Sequence, residues 1–551
     1  MISNDEGSVT VLEDGRAKTP VLNSAAEKTS TVHVIQEMNV LGLSDEDAEF
    51  YNNVSDAERK RITRKIDVRL VPMLAMLYLF SHLDRANIGN AKIEGMDKDL
   101  DCMALSRVQV TQIFASYNIR LSRASAVTDI KWNISLAIFF VPYILLEIPS
   151  NFLLKRVNRP SIYIGIVTIS WGTVMTLHGF VKNFAGLVTL RLLLGALEAG
   201  FFPAAMYLCS FWYMPRDFSS RMACFYWASA VSAAFSGLLA AGITQMDGLG
   251  GYQGWRWIFI LEGIATVCIG TLCFGLLIDS PKLSTKWLTP KEIRFLEIQL
   301  IVKEGGHVEG GGEGKIKWKD LRPVLTNWQL YLQGFIGLTQ ATCSYGFKFT
   351  LPTITKSMGF TNTNAQLMTV PPFIVGAISA VTVSKVADHF YWRMPVVLAT
   401  LLTISVGYSI IISMSGVISG SHIGLAYFAV MLTTTGIYPL APAVAAWTAN
   451  NLAPAKSRAL GLALYACILN MGGIPGSFIF FDADAPAYNT GFGLSLALVL
   501  TSCIVALVLE FSFVLENRRR AQMDANEIRA KYSHEELLQM GNKSPLFKHI
   551  L

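Results

Sequence analysis

The sequence predicts an all-α polytopic membrane protein with twelve transmembrane helices in two six-helix halves. Three observations support this prediction. The 551-residue chain is 52% hydrophobic and only 16% charged, which is more apolar than a typical soluble protein. Its apolar residues form separate windows of about 20 residues, the length that crosses the hydrocarbon core of a bilayer. Its basic clusters fall between these windows and alternate with loops of low charge, as cytoplasmic and outer loops do.

Twelve windows share this length and composition. They lie near 67–91, 134–154, 161–181, 184–210, 222–246, 257–279, 328–356, 366–387, 394–415, 422–447, 457–481 and 491–514. A polar stretch with a glycine-rich run separates the sixth window from the seventh. The predicted units are an N-terminal tail (1–65), an N-terminal half (66–279), a central loop (280–327), a C-terminal half (328–515) and a C-terminal tail (516–551). The basic clusters place both tails and the central loop in the cytoplasm.

The loop between the first two windows breaks the charge pattern. Residues 120–134 contain Arg120, Arg123 and Lys131 on the predicted outer side. Deleting about 15 residues would give a continuous span. We hypothesise that the segment is an insertion, such as an unspliced intron carried into the protein sequence. The alternative is an ordinary extracellular loop, and sequencing the transcript distinguishes the two.

Composition and motifs exclude several classes of function. The net charge of +6 is spread over short clusters, so nucleic acid is not an expected partner. No Walker-type phosphate loop and no hydrolytic constellation occurs, and the cysteines lack metal-ligand spacing. We therefore expect neither an enzyme nor a cofactor. The expected partners are the lipid bilayer, a small solute and an ion gradient.

Charged residues inside the first window mark a pathway for a solute or ions, because charge in a membrane interior is costly. Asp84 and Arg85 end an apolar run, and Asn87 and Asn90 follow. A guanidinium can bind a carboxylate through two parallel hydrogen bonds. We expect Asp84 to take part in proton coupling and Arg85, Asn87 and Asn90 to bind substrate. Alternatively, Asp84 and Arg85 form an ion network at the outer mouth, and the asparagines bond another span.

A second pair lies in the fourth window. Arg191 and Glu198 are seven residues apart, so both lie on one face of a helix, about 10 Å apart along its axis. A guanidinium keeps its charge when buried, whereas a carboxyl can exchange a proton. We expect Glu198 to couple protons and Arg191 to bind substrate. Alternatively, Arg191 pairs with Glu198 or Asp84 to lock the half together.

Two further sets complete the candidate site. Lys348 in the seventh window is a candidate anion-binding residue, or else its side chain reaches water. The segment from Asn151 to Arg156 follows the second window, and that from Asp388 to Arg393 follows the eighth with the same spacing. These four residues are candidates for a conformational latch, since charge pairs at helix ends can hold one state. Their equivalent positions also indicate parallel internal repeats.

Several strings resemble a known family. They are LDRANIGNA (83–91), EIPSN (147–151), RLLLGALEAGFFP (191–203), GWRWIF (254–259), LPTI (351–354) with AQLMTVPP (365–372), NN (450–451) and ENRR (516–519). The order of these strings resembles the major facilitator superfamily, and within it the fungal anion:cation symporters, the allantoate, nicotinate and pantothenate permeases. The glycine-proline motif of drug antiporters is absent from the fifth window, which disfavours a drug exporter.

The resemblance implies the fold of that superfamily and a proton-coupled symporter of a small organic anion. It implies a monomer in the plasma membrane that works by alternating access. In similar carriers of glutamate and sialic acid, an arginine and a glutamate that match Arg191 and Glu198 act in substrate binding and proton coupling. Two rivals remain open: an efflux carrier for an acidic metabolite, and a nutrient sensor that does not transport.

Overall fold

The computed structural model describes residues 43–100, 130–304 and 318–551, apart from 415–421 and a few isolated positions. Within these residues the chain is almost entirely helical. Eleven helices there are long and apolar enough to cross a membrane. This architecture confirms the predicted fold class.

The spans of the N-terminal half are labelled α1 to α6. They are α1 (Asp56–Ile93), α2 (Ile130–Asn151), α3 (Pro160–His178), α4 (Phe184–Trp212), α5 (Pro215–Ile243) and α6 (Gly254–Leu276). Helix α1 begins well before the apolar region, where Ser55 and Glu58 form a capping box. This box satisfies backbone N–H groups that the first turn leaves without partners.

The spans of the C-terminal half are labelled α7 to α12. They are α7 (Trp328–Ser357), α8 (Val370–Phe390), α9 (Met394–Ser413), α10 (Ile423–Asn450), α11 (Leu460–Phe478) and α12 (Asn489–Ala521). Helix α7 occupies the seventh predicted window but is less apolar than the other eleven. It buries Gln333, Gln340 and Lys348, so its polar side chains face protein and not lipid.

The two halves pack with the same pattern of neighbours. Helix α6 packs on α3, and the equivalent α12 packs on α9. The halves meet through α1 with α7, α2 with α11, and α5 with α8. Exchanging the two halves converts the contact of α2 with α11 into that of α8 with α5 and leaves the contact of α1 with α7 unchanged, as parallel repeats predict.

Glycines bring the central helices into close contact. A Cβ added at Gly89 of α1 would lie 2.7 Å from the backbone oxygen of Phe349 on α7. A Cβ at Gly263 of α6 would lie 2.4 Å from the backbone nitrogen of Thr176 on α3. Small residues allow such approach between membrane helices.

One helix of the central loop packs on the segment that precedes α1. Its helix Pro290–Glu304 packs on the short helix Asp45–Asn53. Arg294 lies 2.7 Å from Asp47, and Lys65 of α1 lies 2.6 Å from Glu292. We use the name terminal face for the side that carries these contacts and the C-terminal tail.

The C-terminal tail returns to the bundle after α12. The backbone of Ile550 accepts hydrogen bonds from Trp447 (3.1 Å) and Asn451 (2.9 Å) at the end of α10. The backbone N–H of Arg393 donates to Leu551 at 2.6 Å. These hydrogen bonds hold residues 550 and 551 against the terminal face.

Most of the predicted insertion, residues 120–129, lies outside the described residues. Residues 130–134 are helical, and Trp132 is buried. These last five residues therefore belong to the packed helix α2. The origin of the segment stays a hypothesis.

Candidate substrate and proton sites

The centre of the N-terminal half holds a salt bridge between Arg85 on α1 and Glu198 on α4. The Glu198 carboxylate oxygen Oε1 lies 2.6 Å from Arg85 Nη2 and 2.8 Å from Nε. The Ser81 hydroxyl donates to the same oxygen. Both charged side chains are nearly inaccessible. The second Glu198 oxygen has no hydrogen-bond partner among the described residues, so neither of its lone pairs is engaged there.

Arg85 also contacts the C-terminal half. Its Nη1 donates to the Tyr345 hydroxyl of α7 at 2.9 Å. The guanidinium lies over the rings of Phe139 and Tyr143, at 5.0 and 4.6 Å from their centroids. Aromatic faces attract a cation. Arg85 therefore joins the two halves while its charge is balanced by Glu198.

Lys348 faces Arg85 from the other half. Its Nζ lies 3.2 Å from His82 Nδ1 and 3.2 Å from the Ser229 hydroxyl. The side chain is 4% exposed. Among the described residues, no carboxylate contacts it. A buried cation without an acidic partner is unfavourable in isolation and favours binding of an anion.

A cavity of about 360 Å³ connects these groups to the terminal face. Its polar lining includes Ser81, His82, Arg85, Lys348 and Asn450. Six aromatic residues also line the cavity; they are Tyr78, Tyr143, Phe201, Phe202, Tyr345 and Tyr465. The volume lies in the range of small-molecule binding sites.

The opposite face is closed by contacts between the halves. Lys356 of α7 donates to the Ile93 carbonyl at 3.3 Å, and Gln366 donates to Glu94 at 3.0 Å. The tight approach of Gly89 to Phe349 lies on the same side. The cavity is thus reached from the terminal face.

Asp84 and Arg191 lie behind the cavity, within the N-terminal half. Asp84 accepts hydrogen bonds from Trp171 and Thr266, each at 3.2 Å. Arg191 is 2% exposed, and its Nε and Nη2 have no partner among the described residues. It interacts electrostatically with Asp84 and Glu198. The spacing on α4 placed Arg191 and Glu198 on one helix face, but the direct ion pair of Glu198 is with Arg85.

Asn87 and Asn90 bond other helices. Ser236 of α5 donates to the Asn87 oxygen at 3.0 Å and accepts from Asn90 at 2.8 Å. The Asn87 amide also contacts Glu262 of α6. Neither asparagine lines the 360 Å³ cavity. The asparagines therefore bond other spans, as in the alternative given in the sequence analysis. A direct part of Asn87 and Asn90 in substrate binding stays a prediction.

Glu262 is the functional candidate that sequence reasoning missed. It is 3% exposed and lies within α6, three residues after the string 254–259. The signal was available: a carboxyl inside an apolar span is rare and costly.

The latch candidates lie at the terminal face. Arg393 lines the cavity. Asn151 is half-buried near the end of α2, and Arg156 is exposed in the turn that follows. The side chain of Asp388 lies outside the described part of the chain. The latch therefore stays a prediction.

The fold and the cavity define a class: a helical membrane carrier whose two halves enclose one charged central site. Comparison with known proteins agrees. Residues 74–477 match the model of the Major Facilitator Superfamily, and the chain belongs to this family. This membership confirms the superfamily inferred from the sequence strings.

Two curated relatives illustrate the similarity. The chain is 34% identical to the MFS-type transporter cnsO of Penicillium expansum, over 91% of this chain and 92% of that protein. It is 29% identical to the high-affinity nicotinic acid transporter of Saccharomyces cerevisiae, over 98% of this chain and 94% of that protein.

A solved structure supports the fold. The chain resembles a bacterial homologue of the human lysosomal transporter Spinster, in an inward-facing and unoccupied conformation. The TM-score is 0.59 at 14% identity, covering 81% of this chain and 97% of that one. At this identity the likeness concerns the fold alone.

Proposed function

We propose that the protein is a proton-coupled symporter that imports a small organic monoanion by alternating access. The observation that carries this proposal is Lys348, a buried cation beside a central cavity with no carboxylate partner among the described residues. An anionic substrate would supply the missing charge. The anion's carboxylate binds Lys348, and the rest of the molecule occupies the cavity.

Proton coupling follows from the pair of Arg85 and Glu198. With Glu198 ionised, the carboxylate holds Arg85. When Glu198 takes up a proton, it loses its charge and releases Arg85 toward the substrate carboxylate. Substrate and proton then bind together. The positive charge of the proton compensates the negative charge of the anion, which would be costly alone in the membrane interior. Asp84 is a second candidate for proton exchange. Arg191 faces Asp84, and its positive charge would stabilise the ionised form of that carboxyl.

The cavity wall favours a planar ring. Aromatic side chains on both halves can stack on a flat substrate. The nicotinic acid transporter that is 29% identical to this chain is named for such a molecule. Among the vitamin-like and nitrogen-source monocarboxylates, nicotinate is therefore the first candidate, before pantothenate and allantoate. The predicted setting is the plasma membrane, with both termini cytoplasmic, and the functional unit is a monomer.

The first experiment measures external alkalinisation in yeast cells that express the chain and lack their own permeases for these vitamins. Nicotinate, pantothenate and allantoate are added singly at acidic pH. We expect a transient rise in external pH with one compound, strongly reduced in Lys348→Met at low substrate concentration and retained in the control Lys385→Met. Lys385 is an exposed lysine of α8.

Two outcomes would contradict the proposal. Faster loss of preloaded substrate from expressing cells, without uptake, would instead support an efflux carrier. Binding to the purified protein without flux in either direction would support a nutrient sensor.

A further inference from the structure

Glu262 of α6 is a buried acid that the proposed cycle does not use. One carboxylate oxygen contacts the amide of Asn87. The other has no hydrogen-bond partner among the described residues. An ionised carboxylate accepts several hydrogen bonds, so this environment suits the protonated form better.

The balance of charges within the membrane interior also favours the protonated form of Glu262. The described spans of the N-terminal half bury four acids and two guanidiniums. These groups are Asp84, Glu147, Glu198, Glu262, Arg85 and Arg191. Ionisation of all of them would leave two uncompensated negative charges. Such a charge is neutralised by proton uptake.

Glu262 is the acid of this group without a cation. Glu198 is bonded to Arg85, Asp84 interacts with Arg191, and Glu147 interacts with Arg85. The charged neighbour of Glu262 is Asp84, another acid.

The helices that pack on α6 supply no cation to Glu262 from their described side chains. Helix α1 presents Asp84 and Asn87, and α5 presents Ser236. Helix α3 presents the His178 ring, which stacks on Phe259 at 5.6 Å. Arg191 of α4 interacts with Asp84 and His178, whereas the charged group that acts on Glu262 is Asp84.

A chain of polar side chains leads from Glu262 to the interface of the halves. Asn87 contacts Glu262, Ser236 bonds Asn87, and Asn90 bonds Ser236. Asn90 and Ser236 also line a second cavity of about 10 Å³, with Lys348 in its wall. This volume holds about one water molecule. The chain therefore connects the buried acid to the vicinity of Lys348.

We propose that Glu262 is a further proton-binding site of the carrier, located behind Asp84 and joined to Lys348 through Asn87, Ser236 and Asn90. In each cycle Glu262 releases this proton to water in the small cavity beside Lys348 and takes a proton up again from there. This role rests on the proposed symport, whereas the presence of the proton on Glu262 does not.

Infrared spectroscopy tests the proton site without a substrate. The purified full-length protein is held in lipid nanodiscs at neutral pH, and the carbonyl stretch of protonated carboxylic acids is recorded. We expect this signal to fall by about one carboxyl group in Glu262→Gln. It should persist in Glu262→Asp and in the control Glu49→Gln, an exposed acid. An undiminished signal in Glu262→Gln would overturn the proposal.

Transport in proteoliposomes tests the role in coupling, with labelled nicotinate as the probe. We expect Glu262→Gln to exchange nicotinate at a rate within about twofold of the wild-type rate. The nicotinate that it accumulates under a pH gradient should be about tenfold lower than in the wild-type protein. A structural role would reduce exchange and accumulation together, and would overturn the coupling role. If the wild-type protein does not move nicotinate, the proposed function fails for this substrate, and the infrared result still decides the proton site.

Discussion

Arg85 and Glu198 are 113 residues apart in the chain, yet their side chains form a salt bridge of 2.6 Å in the centre of the N-terminal half. Arg85 also donates to Tyr345 of the other half. One guanidinium therefore links the carboxylate that we propose to exchange protons to the interface that moves in the proposed alternating access.

This relationship predicts the effect of fixing Glu198 in its neutral form. In Glu198→Gln, Arg85 is permanently free of its acidic partner. We expect substrate exchange to continue, while the rise of uptake with acidification disappears. Uptake of labelled nicotinate measured across a pH series checks this. The control is Glu49→Gln, and an unchanged pH profile in Glu198→Gln would exclude the coupling role.

Lys348 should determine affinity more than turnover. Removing its charge in Lys348→Met takes away the proposed partner of the substrate carboxylate, so we expect KM to rise by about tenfold or more, equal to about 1.4 kcal/mol. Lys348→Arg should retain part of the affinity, because it keeps the charge but changes the geometry. Equal KM values in Lys348→Met and Lys385→Met would place the anion elsewhere.

Gly89 should control closure of the opposite face. A Cβ there would lie 2.7 Å from the backbone oxygen of Phe349, so a larger side chain forces α1 and α7 apart. We expect Gly89→Val to increase the reactivity of a cysteine introduced at Ile93 and to reduce uptake. The rate of thiol labelling of Ile93→Cys, compared with that of Ile93→Cys combined with Gly89→Val, measures this reactivity. The control is Gly275→Val, since a Cβ at Gly275 meets no atom within 4 Å.

The C-terminal tail should leave the terminal face at acidic pH. His549 lies 2.8 Å from Glu516 and 3.1 Å from Asn451. Burial, followed by the charge of Arg520, lowers the pKa of His549. The packed state therefore binds fewer protons than the released state, so its stability is present at neutral pH and is lost as the pH falls below about 6.5.

Hydrogen exchange of the backbone amides of residues 549–551 checks this release. We expect faster exchange at pH 5.5 than at pH 7.5, after correction for the intrinsic rates. His549→Gln, which does not titrate, should remove the difference. The same pH dependence in that variant would assign the effect to another group.

The sequence by itself determined the class and the outline of the fold. Apolar windows, basic clusters and the order of the strings predicted the helical membrane architecture and the superfamily, because the requirement to bury apolar surface in lipid acts on each segment separately. The first window also identified Asp84 and Arg85, since an isolated charge in an apolar run is visible without tertiary structure.

Only the tertiary structure decided which of these groups meet. Helical periodicity relates residues within one helix, and it placed Arg191 and Glu198 on one face. It does not show that α1 brings Arg85 to Glu198, that α7 brings Lys348 to His82, or that α6 brings Glu262 to Asn87. Those contacts depend on the packing of helices that are distant in sequence. Glycines at positions such as 89 and 263 permit that packing, because only the absence of a side chain lets two helix backbones come so close.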